Sequence, residues 1–447
     1  MGFVSTWSGR VRNVLGQMTG ADGKVAIAGL GTLAASIAGT GIRFVIQVAL
    51  ANWMGAVEFG RFVTGRGWGE LLAKVPNRGY ELTAVRYLPM YEEEQDWRRY
   101  KGFVRLSQLE TLMLGVAIGA MAAVGYATLA DQPDGAIIAG MLIVPALSGV
   151  YMGRALLQGA HHVVTATTLI DVVLPLGLAV LIGGTFVVAG DVSAVVALLI
   201  LAGTMASIAF VEAVLVRRNL PPQAEHAVPT FDRHLWTSTA RTLFVAQLAI
   251  AVLTVADVLI VSAVVGPGAA GLYAVATRIA VLGRLVNSGL ESVVSGRIAR
   301  AHSVGDMEAV QRAVDETIRL STLPTIGFAL LAILLADPIL SLFGPEYVAA
   351  RPVLVILLIG NVSNALTGPS GYVVSMGPDE RLYALVMGVH AVALVALGFV
   401  AAEYWGIEGV AWTQAGVTLS WNLVLVWLAR TRLGVSCYPR RSLLTMK

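Results

Sequence analysis

Charge runs through the middle of the second hydrophobic segment, FGRFVTGRGWGELLAKVPNRGYELTAVRYL. At 100° per residue, Arg66, Glu70, Lys74, Arg78 and Glu81 fall within an arc of roughly 120° on a helix, so they form a stripe. Each charge at the centre of a membrane helix costs about 2.5–3.5 kcal/mol on the insertion scale. A helix of this kind cannot turn that face to lipid and must line a water-filled or protein-lined path.

The rest of the chain makes this a membrane segment. The 447 residues are 56% hydrophobic and 13% charged, with a mean hydropathy of +0.74, outside the range of soluble domains. Runs of about 20 apolar residues recur from end to end. They predict an all-α polytopic membrane protein with helices near 25–53, 57–88, 103–129, 135–159, 165–189, 192–216, 236–265, 269–298, 317–336, 347–376, 381–404 and 408–430, twelve in all. No long insertion is left for a catalytic or receptor domain, so an enzyme is not expected. The net charge of +3 and pI near 9.0 reflect the ordinary excess of Lys and Arg in inner loops, and no nucleic-acid partner is expected.

Orientation follows from the basic residues. With the N-terminus inside, the outer segments (52–58, 130–135, 189–192, 266–270, 336–346, 402–408) hold no Lys or Arg, only acids such as Glu58, Asp131, Asp134, Asp191, Asp337, Glu346, Glu403 and Glu408. The inner segments hold Arg10, Arg12, Lys24, Arg98, Arg99, Lys101, Arg217, Arg218, Arg233, Arg300, Arg312, Arg430, Arg432, Arg440 and Arg441. Both termini are expected in the cytoplasm, residues 3–18 as an amphipathic interfacial helix, and no signal peptide is expected. The single cysteine, Cys437, excludes an internal disulfide.

The halves repeat. WMGAVEFG (Gly55, Gly60) lies over VVGPGAAG (Gly266, Gly271) at an offset of 211, NRGYE (Asn77 to Glu81) over NSGLE (Asn287 to Glu291) at 210, Asp96 over Asp306 at 210, and GRALLQG (Gly153 to Gly159) over GYVVSMG (Gly371 to Gly377) at 218. The expected division is an interfacial segment 1–24, a six-helix lobe 25–216, a Pro-containing cytoplasmic linker 217–235, a second six-helix lobe 236–430 and a tail 431–447. An even number of helices per repeat sets the pseudo-two-fold axis along the membrane normal, with the transport site between lobes.

Helices one, two, seven and eight point polar faces inward. Ser36, Thr40, Arg43 and Gln47 share a face of the first, and the repeat sets Gln247 and Thr254 of the seventh over Ser36 and Arg43, with Asp257 about 60° from Thr254. Arg284, Asn287 and Glu291 stripe the eighth, with Arg278 off that line. The interior then holds seven cations (Arg43, Arg66, Lys74, Arg78, Arg86, Arg278, Arg284) against four acids (Glu70, Glu81, Asp257, Glu291), a net positive lumen. Arg66 with Glu70, Glu70 with Lys74, and Arg78 with Glu81 are spaced for pairing within one helix. Arg43 has no acid on its own helix face. Either a neighbouring helix supplies Glu70, Glu81 or, as first choice, Asp257, or Arg43 holds an anionic ligand, for which guanidinium suits phosphate. Glu81 and Glu291 are expected to tie the cytoplasmic gate, and the acids are the candidates for coupling to H⁺ or Na⁺. The YEEEQDWRRYK run (Tyr91 to Lys101) reads as a solvated loop, His161 and His162 as solvated, His390 as a hydrogen-bonded core residue, and Trp53, Trp236 and Trp405 as interface anchors. No metal site, other cofactor or catalytic motif is expected.

ALANWMGAVEFGRF, the charged helix ending NRGYELTAVRYLP, and LFGPEYVAARP (Leu342 to Pro352) resemble the polysaccharide and O-antigen flippases of the multidrug/oligosaccharidyl-lipid/polysaccharide exporter superfamily. The resemblance implies two six-helix lobes about a cationic cavity in the bacterial cytoplasmic membrane. It also implies that an undecaprenyl-pyrophosphate-linked glycan is moved from the inner to the outer leaflet. On that basis Arg43, Arg66, Lys74, Arg78, Arg278 and Arg284 hold the pyrophosphate while the prenyl tail stays in the bilayer. Two rivals make different demands: a cation-coupled antiporter of the same fold needs an acid such as Asp257, and a membrane glycosyl or phosphoglycosyl transferase needs a metal site at Glu92 to Asp96.

Overall fold

A computed structural model describes residues 21–284, 294, 296–298, 300, 301, 304–375 and 380–438, and all regular structure among them is helical. Nine of the described helices are long and apolar enough to cross a membrane, so the chain is a multi-pass membrane protein. Two runs are far longer than one crossing needs: Ala21–Leu72 has 52 residues and Glu380–Leu433 has 54. Each is two helices joined where the backbone leaves helical geometry, at Gly55 (φ 67°, ψ 171°) and at Gly406 (φ 59°, ψ −143°). Only glycine takes such a φ without strain.

Repeat-matched residues do the same local work. Gly266 (φ 115°) turns the chain into Pro267–Leu282 as Gly55 turns it into the second helix. Gln95 (φ 57°) precedes Asp96, whose side chain caps Trp97–Leu129 by accepting from Arg99 N at 3.1 Å. Gly305 (φ 75°) precedes Asp306, which caps Met307–Leu334 by accepting from Ala309 N at 2.8 Å. Each cap satisfies a backbone donor that the helix leaves unpaired.

Gly60 and Gly271, matched in the repeat, face one another where the helix after Gly55 crosses Pro267–Leu282. A Cβ on Gly60 would lie 1.7 Å from the Pro267 carbonyl oxygen, and one on Gly271 would lie 2.2 Å from that of Ala56. Backbones this close exclude any side chain, and small residues let membrane helices pack by van der Waals contact. LFGPEYVAARP closes over the same end: Asn52 Nδ2 donates to the Leu342 carbonyl at 2.5 Å, Tyr347 Oη to that of Ala51 at 3.4 Å, and Phe343 meets Phe44 edge-on at 5.6 Å between ring centres. Two of the segments that carry the family resemblance therefore touch.

The charged second helix is not continuous to residue 88. It stops at Leu72, makes a short turn over Lys74–Asn77, passes through Arg78 (φ 47°) and Gly79 (φ 85°), and restarts as Tyr80–Glu93. Gly79 sits against Arg233–Val264, where a Cβ on it would lie 2.3 Å from the Ala240 carbonyl oxygen. The third helix begins at Trp97 and the ninth at Met307, earlier than their hydrophobic runs, because the capping aspartates start them.

Residues 219–232 hold a short helix, Pro222–His226, clamped to the third helix. Lys101 Nζ donates to the carbonyls of Glu225 and Ala227 (3.0 Å to Ala227), and Thr230 N donates to the Arg98 carbonyl at 3.0 Å. Trp236 corrects the expectation of an interface anchor. It is fully buried beside Tyr80, Tyr91 and Phe103 and donates to Tyr91 Oη at 2.8 Å. Trp405 is exposed, and Trp53 stacks on Phe186 at 4.5 Å.

Candidate functional site

The sequence-expected cations sort into those with an acid in hand and those without. Arg43 Nη1 donates to Asp171 Oδ1 at 2.9 Å, and Ser36 Oγ donates to Asp171 Oδ2 at 3.0 Å. The partner is thus Asp171, on a single π-helical turn at Leu169–Val173 of the fifth crossing segment, and not Asp257. Ser36, Thr40 and Arg43 do share a face, and Arg43 Nη2 also reaches Thr40 Oγ1 at 3.2 Å.

Arg66 Nε donates to Glu70 at 2.7 Å, the i,i+4 pair its spacing suggested. Lys74 turns to Glu81 at 3.3 Å and lies over the Tyr151 ring at 3.8 Å, so Glu70 is not its partner. Glu81 also accepts from Asn77 Nδ2 at 2.5 Å. The break at Gly79 swings Arg78 away from Glu81, and it pairs with Glu110 of the third helix, which Arg233 approaches at 3.4 Å. Arg86 is exposed. Glu291 and Asn287 lie outside the described residues.

Asp171 and Glu110 reduce the positive excess read from four helices alone. Both were legible in principle, since each is a lone acid in an apolar run, TLIDVVLP and SQLETLML. Glu212 in FVEAVLV carries the same signal. It is fully buried, packed on Gly153, with neither carboxyl oxygen in a hydrogen bond among the described residues.

Arg278 and Arg284 form no ion pair within 4 Å among the described residues. Arg278, expected to stand off the eighth-helix stripe, points across to the second helix. With Arg66, Glu70, Thr254 and Thr277 it lines a cavity of about 40 Å³ between the second, seventh and eighth helices. Asp257 lies in the field of Arg278 and accepts from Val258 N at 2.8 Å. A second cavity of about 480 Å³ lies among the later helices, between residues 250–284 and 357–425, with Asp257 and Arg284 on its wall. Thr254 and Thr277 line both cavities, so the two adjoin. Arg43, Lys74 and Arg78 line neither.

Pairing of this kind fits recognition of an anion by guanidinium. Glu70 occupies Arg66 Nε and leaves its two terminal nitrogens available, and Arg278 presents a whole planar fork beside them. Glu92 meets His161 at 3.5 Å, Asp96 is a helix cap, and the described residues hold no group of three or more His, Cys, Asp or Glu placed for a metal. His390 is buried, with Nδ1 at 2.7 Å from the Val386 carbonyl and Nε2 at 3.1 Å from Ser420 Oγ.

The comparisons with known proteins agree with this architecture. The model of the polysaccharide biosynthesis protein family matches residues 28–286, more than half of the chain, and the MatE family model matches residues 243–404. No curated protein matches the sequence. The lipid II flippase MurJ in an inward-closed conformation is 14% identical, with a TM-score of 0.68 over 91% of this chain and 88% of that one. An inward-facing multidrug resistance MATE family transporter of the MOP superfamily is 13% identical, with a TM-score of 0.61 over 91% and 93%. A MOP superfamily transporter from Pyrococcus furiosus, described as having a binding pocket of reverse polarity, is 14% identical, with a TM-score of 0.58 over 91% and 95%. At these identities the likeness is one of fold. With its model matched over residues 28–286, the polysaccharide biosynthesis protein family is the one to which the chain belongs.

Proposed function

We propose that the chain is a flippase that moves an undecaprenyl-pyrophosphate-linked oligosaccharide from the inner to the outer leaflet of the bacterial cytoplasmic membrane by alternating access, for cell-envelope polysaccharide synthesis. In this reading the bends at Gly55 and Gly406, with Pro267–Leu282 counted as a crossing, give twelve crossings in two six-helix lobes, 25–216 and 236–430, joined by 217–235. Both termini lie in the cytoplasm. The Gly60 and Gly271 crossing then closes the outer end.

The observation that carries the proposal is the meeting of Arg66 from the first half with Arg278 from the second at one small cavity. Two guanidinium groups there offset the cost of taking a pyrophosphate out of water. Because they come from different halves, rocking one half against the other strengthens or releases the grip. Arg284 stands at the neighbouring cavity as a further cation. Arg43, Lys74 and Arg78 hold the acids that shape the path, and in this reading Asp257, on the wall of the larger cavity, couples transport to H⁺ or Na⁺.

Glycan-export complementation with Arg278→Gln and Arg278→Glu tests this. Activity should fall in the order wild type, Gln, Glu at equal surface expression, since Glu repels phosphate as well as removing a donor. Equal activity in all three would show that Arg278 meets no anion. A second reading, a cation-coupled small-molecule antiporter, rests on the buried carboxylate of Asp257 at the larger cavity. It predicts loss of drug efflux in Asp257→Asn with none in Arg278→Gln.

A further inference from the structure

The cavity of about 480 Å³ has a lining unlike that of the cationic station beside it. Its size is within the roughly 300–1,000 Å³ of small-molecule sites. Among the described residues only one group of each charge lines it, Asp257 and Arg284, and a wall balanced in this way suits neither a polyanion nor a polycation. Between apolar side chains such as Leu253, Leu357, Met387 and Leu425, its wall carries amide, hydroxyl and aromatic groups: Asn364, Asn422, Thr418 and Trp421 among others.

The amides are only partly committed. Asn422 Nδ2 donates to Asn364 Oδ1 at 3.1 Å, which leaves Asn364 Nδ2 and Asn422 Oδ1 without a hydrogen bond among the described residues. Gln414 Nε2 reaches the Leu253 carbonyl at 3.4 Å, and its Oε1 is buried with no partner among them. The Asn364 and Asn422 pair thus keeps one donor and one acceptor open, and a wall of this kind favours a ligand that both donates and accepts. Trp421 is braced edge-on by His390, with ring centres 6.5 Å apart, and adds an aromatic surface for C–H groups.

We propose that this cavity is a saccharide subsite that takes the uncharged sugar next to the pyrophosphate of a lipid-linked glycan. The inference rests on the flippase reading, which seats the pyrophosphate at Arg66 and Arg278. Thr254 and Thr277 border both cavities, so a sugar one bond from that phosphate enters the amide-lined space. The Asn364 and Asn422 pair supplies one donor and one acceptor to the sugar hydroxyls.

The test is binding to the full-length protein in nanodiscs of farnesyl pyrophosphate and of farnesyl pyrophosphate carrying glucose, galactose, N-acetylglucosamine or glucuronic acid. At least one uncharged sugar should tighten binding about tenfold over farnesyl pyrophosphate, the worth of roughly one hydrogen bond, and glucuronic acid should not. Asn422→Leu and, separately, Thr418→Val should erase the gain while leaving farnesyl pyrophosphate binding unchanged. Arg278→Gln should weaken every probe alike. Equal binding of all probes, tightest binding of the glucuronate, or an unchanged gain in both cavity variants would overturn the subsite and leave the flippase reading intact. No binding of farnesyl pyrophosphate, with Arg278→Gln silent, would overturn both.

Discussion

Arg43 and Asp171 are the residues on which single-helix reasoning and three-dimensional packing part company. Removing Arg43 leaves Asp171, largely buried, with Ser36 as its one side-chain donor among the described residues, at a cost on the order of 2 kcal/mol. Arg43→Ala should lower the melting temperature in detergent, and Arg43→Ala with Asp171→Ala should recover much of the loss. An additive double mutant would show that the pair carries no coupling. Glu212 offers the opposite case. An ionised carboxylate with no donor is costly in a membrane helix, so Glu212→Gln should hold or raise the melting temperature, and a clear fall would reveal a bond made by the carboxylate. Outside the membrane segments, Cys437 is packed into the tail near Asp315, and burial pushes its thiol up to about 12. The thiolate is the reactive form, so at pH 7.5 the native protein should resist maleimide until denatured, and stoichiometric native labelling would contradict that environment.

At the scale of elements, glycines set how closely helices approach. Gly60→Ala drives a methyl into the Pro267 carbonyl, so it should destabilise by about 1–3 kcal/mol. Gly41→Ala, where a Cβ meets nothing within 4 Å, is the control and should leave the melting temperature unchanged. Helix propensity alone would favour alanine at both positions, so a similar loss in both would show that the effect does not come from the crossing. Much at this level was legible in the sequence. Gly55 and Gly266 both turn the chain at the repeat offset, Asp96 and Asp306 both cap, and His390 is a core residue. Less legible was the break in the second helix, although Pro76 and Gly79 stood in KVPNRGYE, because a hydrophobic run continues through it. Pairing across helices was not legible. Angular position on one helix says which charges share a face, but not that Glu110 or Asp171 on another helix meets them. The cavity among the later helices was hidden for the same reason, its amides being divided between Arg351–Thr367 and the stretch after the bend at Gly406.

For the whole molecule, the proposed orientation makes a labelling prediction on a background that Cys437 leaves quiet. Single cysteines at 134, 191 and 404 should react with an impermeant thiol reagent from outside, and one at 224 should not. Reaction at 224 from outside would overturn the topology. The central claim, that the chain carries lipid-linked glycan between leaflets through the Arg66 and Arg278 station, is tested most directly by measuring leaflet-specific lipid-linked sugar in cells depleted of the protein. Accumulation on the inner leaflet, relieved by wild type and not by Arg278→Glu, is the predicted result. An unchanged distribution between leaflets, accompanied by altered drug efflux, would contradict it.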